Sequence, residues 1–203
     1  MLELNKIVVG YDRPVAGPLD LYLPDGHCMM LCGPNGSGKS TLMKTVAGII
    51  RPVSGSFAAS GEVVMVPTRI PKVKGFTVRD FVRTGMFSRS SLWNKVDDET
   101  ADSVESALQT LGLAGLASKD LSVVSDGEFQ KACIATALVR KSSVMLLDEP
   151  TAFLDVDNRV MVLRTLHEIA ASTGITVIFS THDIHDGKLN SDSVLDLGLS
   201  QSR

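Results

Sequence analysis

The sequence predicts an α/β fold with a mostly parallel core sheet, an antiparallel β edge at the N-terminus and an inserted helical subdomain. Three observations lead there. Short apolar runs bounded by polar or glycine residues, CMMLC (28–32), VVMV (63–66), VMLL (144–147) and TVIF (176–179), have the character of strands buried on both faces. Helical patterns separate them. A glycine-rich loop, GPNGSGKST (33–41), joins the first run to the first helical pattern.

Taken in order, LELNKIVVGY and LDLYLP alternate or nearly so, and the turn-rich DRPVAG between them predicts an antiparallel pair at the edge of the sheet. CMMLC is the first buried strand, and STLMKTVAGII the helix behind the glycine-rich loop. Residues 76–140 carry helix patterns, SVESALQTLGLAGL among them, and no strand pattern, so they form a helical insertion between two core strands. NRVMVLRTLHEIAAS separates the last two runs and sets Leu163, Leu166 and Ile169 on one apolar face.

The 203 residues suffice for one sizeable core with an inserted lobe. We therefore expect a single domain over 1–203, with a core at 1–75 and 141–203 and a helical subdomain at 76–140. At 44% hydrophobic and 21% charged the chain is a folded protein, and a formal charge of −3 gives no reason to expect a nucleic-acid partner. Cys28, Cys32 and Cys133 make no CxxC pair; their odd number suits reduced core thiols. With no basic-then-apolar leader and no apolar run near the ~20 residues that cross a bilayer, we expect neither signal-peptide export nor anchoring by the chain's own helix.

GPNGSGKST satisfies G-x-x-x-x-G-K-[ST] between a strand and a helix, the context its chemistry needs. Gly33, Gly36 and Gly38, with Pro34, Asn35 and Ser37 between them, let the backbone wrap anionic oxygens with its N–H groups inward. Lys39 would reach β- and γ-phosphates, Ser40 would offer a hydroxyl to Mg²⁺, and Thr41 could bond the α-phosphate. A chance glycine-rich turn of this pattern is expected about once in a hundred chains of this size.

VMLLDEPTAFLD ends an apolar strand in Asp148 and Glu149, where ligands bind in parallel sheets. Asp148 can hold Mg²⁺, and Glu149 is placed to polarise an attacking water. TVIFSTHD repeats the logic with His182, whose imidazole could bond a γ-phosphate and the water. VSDGEFQK (124–131) poses an ambiguity: Ser125 followed by Glu128 is a capping box, hence an ordinary helix start, or one half of an active site.

Tyr11, GPNGSGKST, VSDGEFQK, LLDEPTAFLD and STHD, in that order over essentially the whole chain, resemble the ATP-binding cassette (ABC) ATPases. The resemblance implies a P-loop NTPase core and hydrolysis of ATP with Mg²⁺. It implies partners as well: a second copy or a homologous ATPase subunit, and an integral membrane permease that holds the chain at the cytoplasmic face of the membrane. In that family a signature, usually LSGGQ or LSGGE, contacts the γ-phosphate of ATP bound to a facing subunit. Here Ser125, Asp126, Gly127 and Glu128 occupy those places, so capping box and active-site half become one object. By the same resemblance Tyr11 stacks on adenine, Lys39 serves catalysis, Glu149 is the catalytic base, His182 the switch histidine and Asp155 a dimer contact.

Two departures from the family pattern stand out. Asp126 replaces the first signature glycine, and Thr68 in VPTRIP stands where the family has a Gln, with a hydroxyl too short to reproduce the amide's reach to metal. FTVRDFVRTGMFSRSSLW (76–93) is similar to the ATPases of iron-siderophore, haem and cobalamin importers at Phe76, Thr77, Val78, Phe81, Val82 and Gly85, with Met86 for their usual Arg. GIIRPVSGSFAASGEVVMVP lacks the longer antiparallel excursion of those importers. The alternatives are a short ATPase of a haem exporter and a nucleotide-dependent switch module. A generic kinase or GTPase is disfavoured, because no NKxD motif is present.

Overall fold

The computed structural model describes residues 1–86 and 98–198. Of the importer-like stretch, positions 87–93 lie outside the described residues. Two compact units are formed: one from Met1–Thr68, Ser142–Ala152 and Arg159–Arg203, the other from Arg69–Lys141 with Phe153–Asn158.

The first unit holds two sheets. Five parallel strands, β3 (Cys28–Cys32), β5 (Val63–Val66), β6 (Val144–Leu147), β7 (Thr176–Ser180) and β8 (Ser193–Asp196), pair in the order β5-β6-β7-β3-β8. All residues of β3, β6 and β7 are buried, as strands sandwiched on both faces must be. Alternate side chains serve the two faces. Met29 and Leu31 of β3 join a core cluster with Leu42, Met43 and Val46 of α1 (Lys39–Val46), while Gly187 of α6 (Ile184–Leu189) lies against Met30.

The second sheet corrects two expectations. β1 (Leu2–Gly10) and β2 (Pro14–Leu23) are antiparallel, but they do not edge the parallel sheet; with β4 (Ser54–Ala59) they make a separate three-stranded sheet, β2-β1-β4. The turn between β1 and β2 is shorter than DRPVAG, since β2 already begins at Pro14. Between the first helix and β5 the chain adds the single strand β4, which pairs with β1 in the register Leu2↔Ala59 to Asn5↔Ser56. Leu2, Leu4, Ile7 and Val9 of β1 enter the same core cluster as β3 and α1. The first helix is shorter than STLMKTVAGII, because Gly48 in a left-handed conformation (φ 69°) stops it just beyond Val46.

The second unit is helical: α2 (Val78–Arg83), α3 (Asp98–Thr110) and α4 (Asp126–Val139), with short 3-10 turns between them. α4 packs against both α2 and α3. Phe129, Ala132, Cys133, Ile134, Ala135, Ala137 and Val139 are all buried, so this helix is apolar nearly all round. α5 (Val156–Thr173) follows β6 and buries Leu163, Leu166 and Ile169 as its spacing predicts. The three cysteines are buried free thiols; burial pushes Cys28 and Cys133 up to about 12, with Asp192 adding to the rise at Cys28. No helix among the described residues is long and apolar enough to cross a membrane.

Candidate functional site

The parallel sheet sets three strand ends side by side. β7 lies between β6 and β3, with Leu147 level with Phe179 and Leu31 level with Ser180, so the loops after these strands leave the same end of the sheet.

From β3 the chain enters the glycine-rich loop. Gly33 has φ 140°, and a Cβ there would sit 2.7 Å from the Ser37 hydroxyl. Gly38, with φ 99°, caps α1, and its added Cβ would meet the Ala16 methyl at 3.0 Å. Neither position admits a side chain without rearrangement. No side chain caps α1, which leaves its first N–H groups free to face an anion. Lys39, 7% exposed, turns its ammonium back to donate to the carbonyls of Gly33 (2.8 Å) and Pro34 (3.1 Å). These bonds hold a buried cation inside the loop. The Ser37 hydroxyl is buried with no hydrogen-bond partner among the described residues, and Pro34, Asn35 and Gly36 are exposed. Ser40 and Thr41 are half-buried at the start of α1, and the Tyr11 ring stands exposed just after β1.

From β6 the chain delivers the two acids. Asp148 is 8% exposed, and its Oδ1 accepts a hydrogen bond of 2.9 Å from the Ser180 hydroxyl. The same Ser180 oxygen accepts from the Glu149 amide at 2.8 Å, so one hydroxyl from β7 fixes both acids. Glu149 has φ 51°, a strained conformation for a non-glycine residue, which its amide bond helps to hold. Its Oε1 lies 2.7 Å from His182 Nε2. Glu149 and His182 are thus in direct contact, and Asp148 is linked to them through Ser180, which the sequence reading passed over. The only signal was a Ser two places before His182 at a strand end.

A hard divalent cation suits this chemistry. Among the described residues no Lys or Arg pairs with Asp148, and a buried carboxylate whose sole side-chain partner is a serine is an apt oxygen ligand. Ser40 supplies the hydroxyl type that accompanies it. Thr68 is half-buried, two residues beyond β5.

In the second unit VSDGEFQK is a complete capping box. Ser125 Oγ accepts from the Glu128 amide at 3.2 Å, and Glu128 Oε2 accepts from the Ser125 amide at 2.7 Å. The backbone bond from Ser125 holds the Glu128 carboxyl below its usual range. Asp126 turns to Lys72, with Oδ1 2.7 Å from Nζ. Gly127 is buried against Asn158: a Cβ added there would lie 3.3 Å from the Asn158 amide group. Asn158 is in turn bonded to Asp155, its amide N to Oδ1 at 2.9 Å and its Nδ2 to Oδ2 at 2.8 Å, so Asp155 caps the start of α5. Backbone bonds from Asn158 lead the causes that lower the Asp155 carboxyl. Lys72 and Asn158 were also missed, because only the folded chain brings them beside the signature residues.

Comparison with known proteins agrees with this geometry. A family-wide sequence profile, ABC transporter, matches residues 16–152. The iron(3+)-hydroxamate import ATP-binding protein FhuC of Bacillus subtilis is 30% identical over 91% of this chain and 74% of its own length. The ferric enterobactin transport ATP-binding protein FepC of Escherichia coli is 31% identical over 91% of this chain and 73% of its own. Among solved structures, a metal-chelate type ABC transporter in an inward-facing conformation superposes with a TM-score of 0.88 at 29% identity, over 97% of this chain and 79% of that one. A phosphate loop, a paired acid and histidine, and these likenesses over nearly the whole length lead to one conclusion: the chain belongs to the ABC transporter family, as an ATP-hydrolysing subunit.

Proposed function

We propose that the chain drives a membrane permease for import of a metal chelate, an iron chelate, haem or cobalamin, with two ATP molecules sandwiched head to tail between two such subunits at the cytoplasmic face of the membrane. The observation that carries the catalytic part is the contact of 2.7 Å between Glu149 and His182, beside the buried Asp148. The similarity to iron-chelate import subunits supports the cargo class.

In this reading Lys39 and the amides of the phosphate loop bind the β- and γ-phosphates, and Tyr11 stacks on the adenine. Ser40 and Asp148 hold Mg²⁺, which offsets phosphate charge when bound. Glu149 accepts the proton of the attacking water, and His182 orients that carboxylate and the terminal phosphate. Ser125 and the Gly127 amide, at the start of α4, meet ATP held by the facing subunit, and Asp155 lies at the dimer contact. Catalysis rests on positioning and electrostatics.

Glu149→Gln removes the base while keeping shape. The expected outcome is loss of turnover by about a hundredfold or more, with ATP binding retained and an ATP-dependent dimer seen by light scattering. Unchanged turnover would remove Glu149 from its role. A variant that stays monomeric with Mg·ATP would overturn the sandwich.

A further inference from the structure

Asp126 places a second carboxylate in the first turn of α4, beside Glu128. Negative side chains suit a helix N-terminus in isolation, but here they compete with the phosphate that the dimer reading brings to the same turn. The inference that follows rests on that reading.

The two acids are not equivalent. Glu128 is tied to the Ser125 amide and completes the box. Asp126 has an exposed side chain and, with no partner, would set its charge against an incoming anion. Lys72, from the segment between β5 and α2, meets it. Its ammonium is 2.7 Å from Asp126 Oδ1, donates to the Val124 carbonyl at 2.8 Å, and lies 5.6 Å from the centroid of the Phe129 ring. The carbonyl and the ring hold the ammonium at the start of α4 independently of Asp126. A cation fixed in that way cancels the carboxylate and draws it to its own side.

We propose that Lys72 is a positioning residue for the ATP of the facing subunit: by pairing with Asp126 it keeps the first turn of α4 attractive to a terminal phosphate although an acid has replaced the first signature glycine. Lys72 and Asp126 then act as one unit, and the sequence SDGE works because of a lysine far upstream.

The test is ATP-driven dimerisation in a Glu149→Gln background with Mg²⁺, followed by light scattering as ATP is titrated, with a thermal melt of each protein. Lys72→Met is expected to raise the ATP concentration for half-dimerisation about fivefold or more. Adding Asp126→Asn to Lys72→Met is expected to bring it back to within about twofold of the parent, since the unpaired charge is gone. If Lys72 only braced α4 through Val124 and Phe129, the defect would persist in the double variant with a lowered melting point, and the proposal would be overturned. A Lys72→Met protein that dimerises like its parent overturns it equally, while leaving the dimer reading intact. A parent that never dimerises overturns both.

Discussion

Ser180 has one hydroxyl and two tasks: it donates to Asp148 and accepts from the amide of the strained Glu149. Alanine there leaves a buried carboxylate without its hydrogen bond and frees the backbone that aims Glu149. Losses of this kind cost about 1–3 kcal/mol. Because the proposed mechanism sets the groups concerned on the attacking water and the metal rather than on the adenine or the loop, the loss should fall on the chemical step. Ser180→Ala is expected to lower kcat about ten- to a hundredfold with a much smaller change in KM for ATP. A shift confined to KM would mean that Ser180 serves binding instead. The residues to which the proposed mechanism gives chemistry, Lys39, Asp148, Glu149 and His182, could be picked out from sequence, because their types and places at strand ends follow from what phosphate and water require. The residues that orient them were not legible. Ser180, Lys72 and Asn158 have ordinary local settings, and only long-range pairing gives them partners.

At the scale of elements, the stretch that resembles importer ATPases is explained by folding before cargo. Thr77 caps α2: its hydroxyl accepts from the Asp80 amide at 3.1 Å and donates to Asp80 Oδ2 at 2.6 Å. Phe81 stacks near Phe129 of α4, ring centroids 5.5 Å apart, and Val78 and Val82 are buried. Gly85 lies so close to α4 that a Cβ would stand 2.0 Å from the Thr136 carbonyl oxygen. Gly85→Ala must push α4 away from the turn that follows α2, at a cost of about 3 kcal/mol, and is expected to lower the melting point by roughly 6–12 °C. A melt within about 2 °C of the parent would show that the contact gives way easily. The elements hidden from sequence reading share a physical cause. β4 and β8 are edge strands with a single neighbour each, partly exposed, so neither shows the solid apolar run of β3 or the alternation of a half-buried strand. α6, six residues with a glycine, is too short for a helical period to register.

For the chain as a whole, the pieces of the first unit are far apart in sequence, so its stability depends on groups that reach across those separations. Asp192, just before β8, is such a group. It accepts from the Cys28 amide at the start of β3 (2.8 Å), meets His167 of α5 at 3.1 Å and lies 3.9 Å from His27, whose other ring nitrogen is bonded to Ser193. Burial raises the Asp192 carboxyl, but the Cys28 amide and the two histidines outweigh it, and the net shift is downward. A carboxyl lowered on folding contributes stability above its unfolded value, about 3.9, and that contribution fades as pH falls through the lowered folded value. Asp192→Asn keeps the shape and removes the charge. Its melting point is therefore expected to lie below the parent's at about pH 5, and the gap should narrow as the pH falls from about 4 toward 3. Parallel curves down to that pH would mean that the carboxylate's charge does not hold β3, α5 and β8 together, and that its hydrogen-bonding shape alone does.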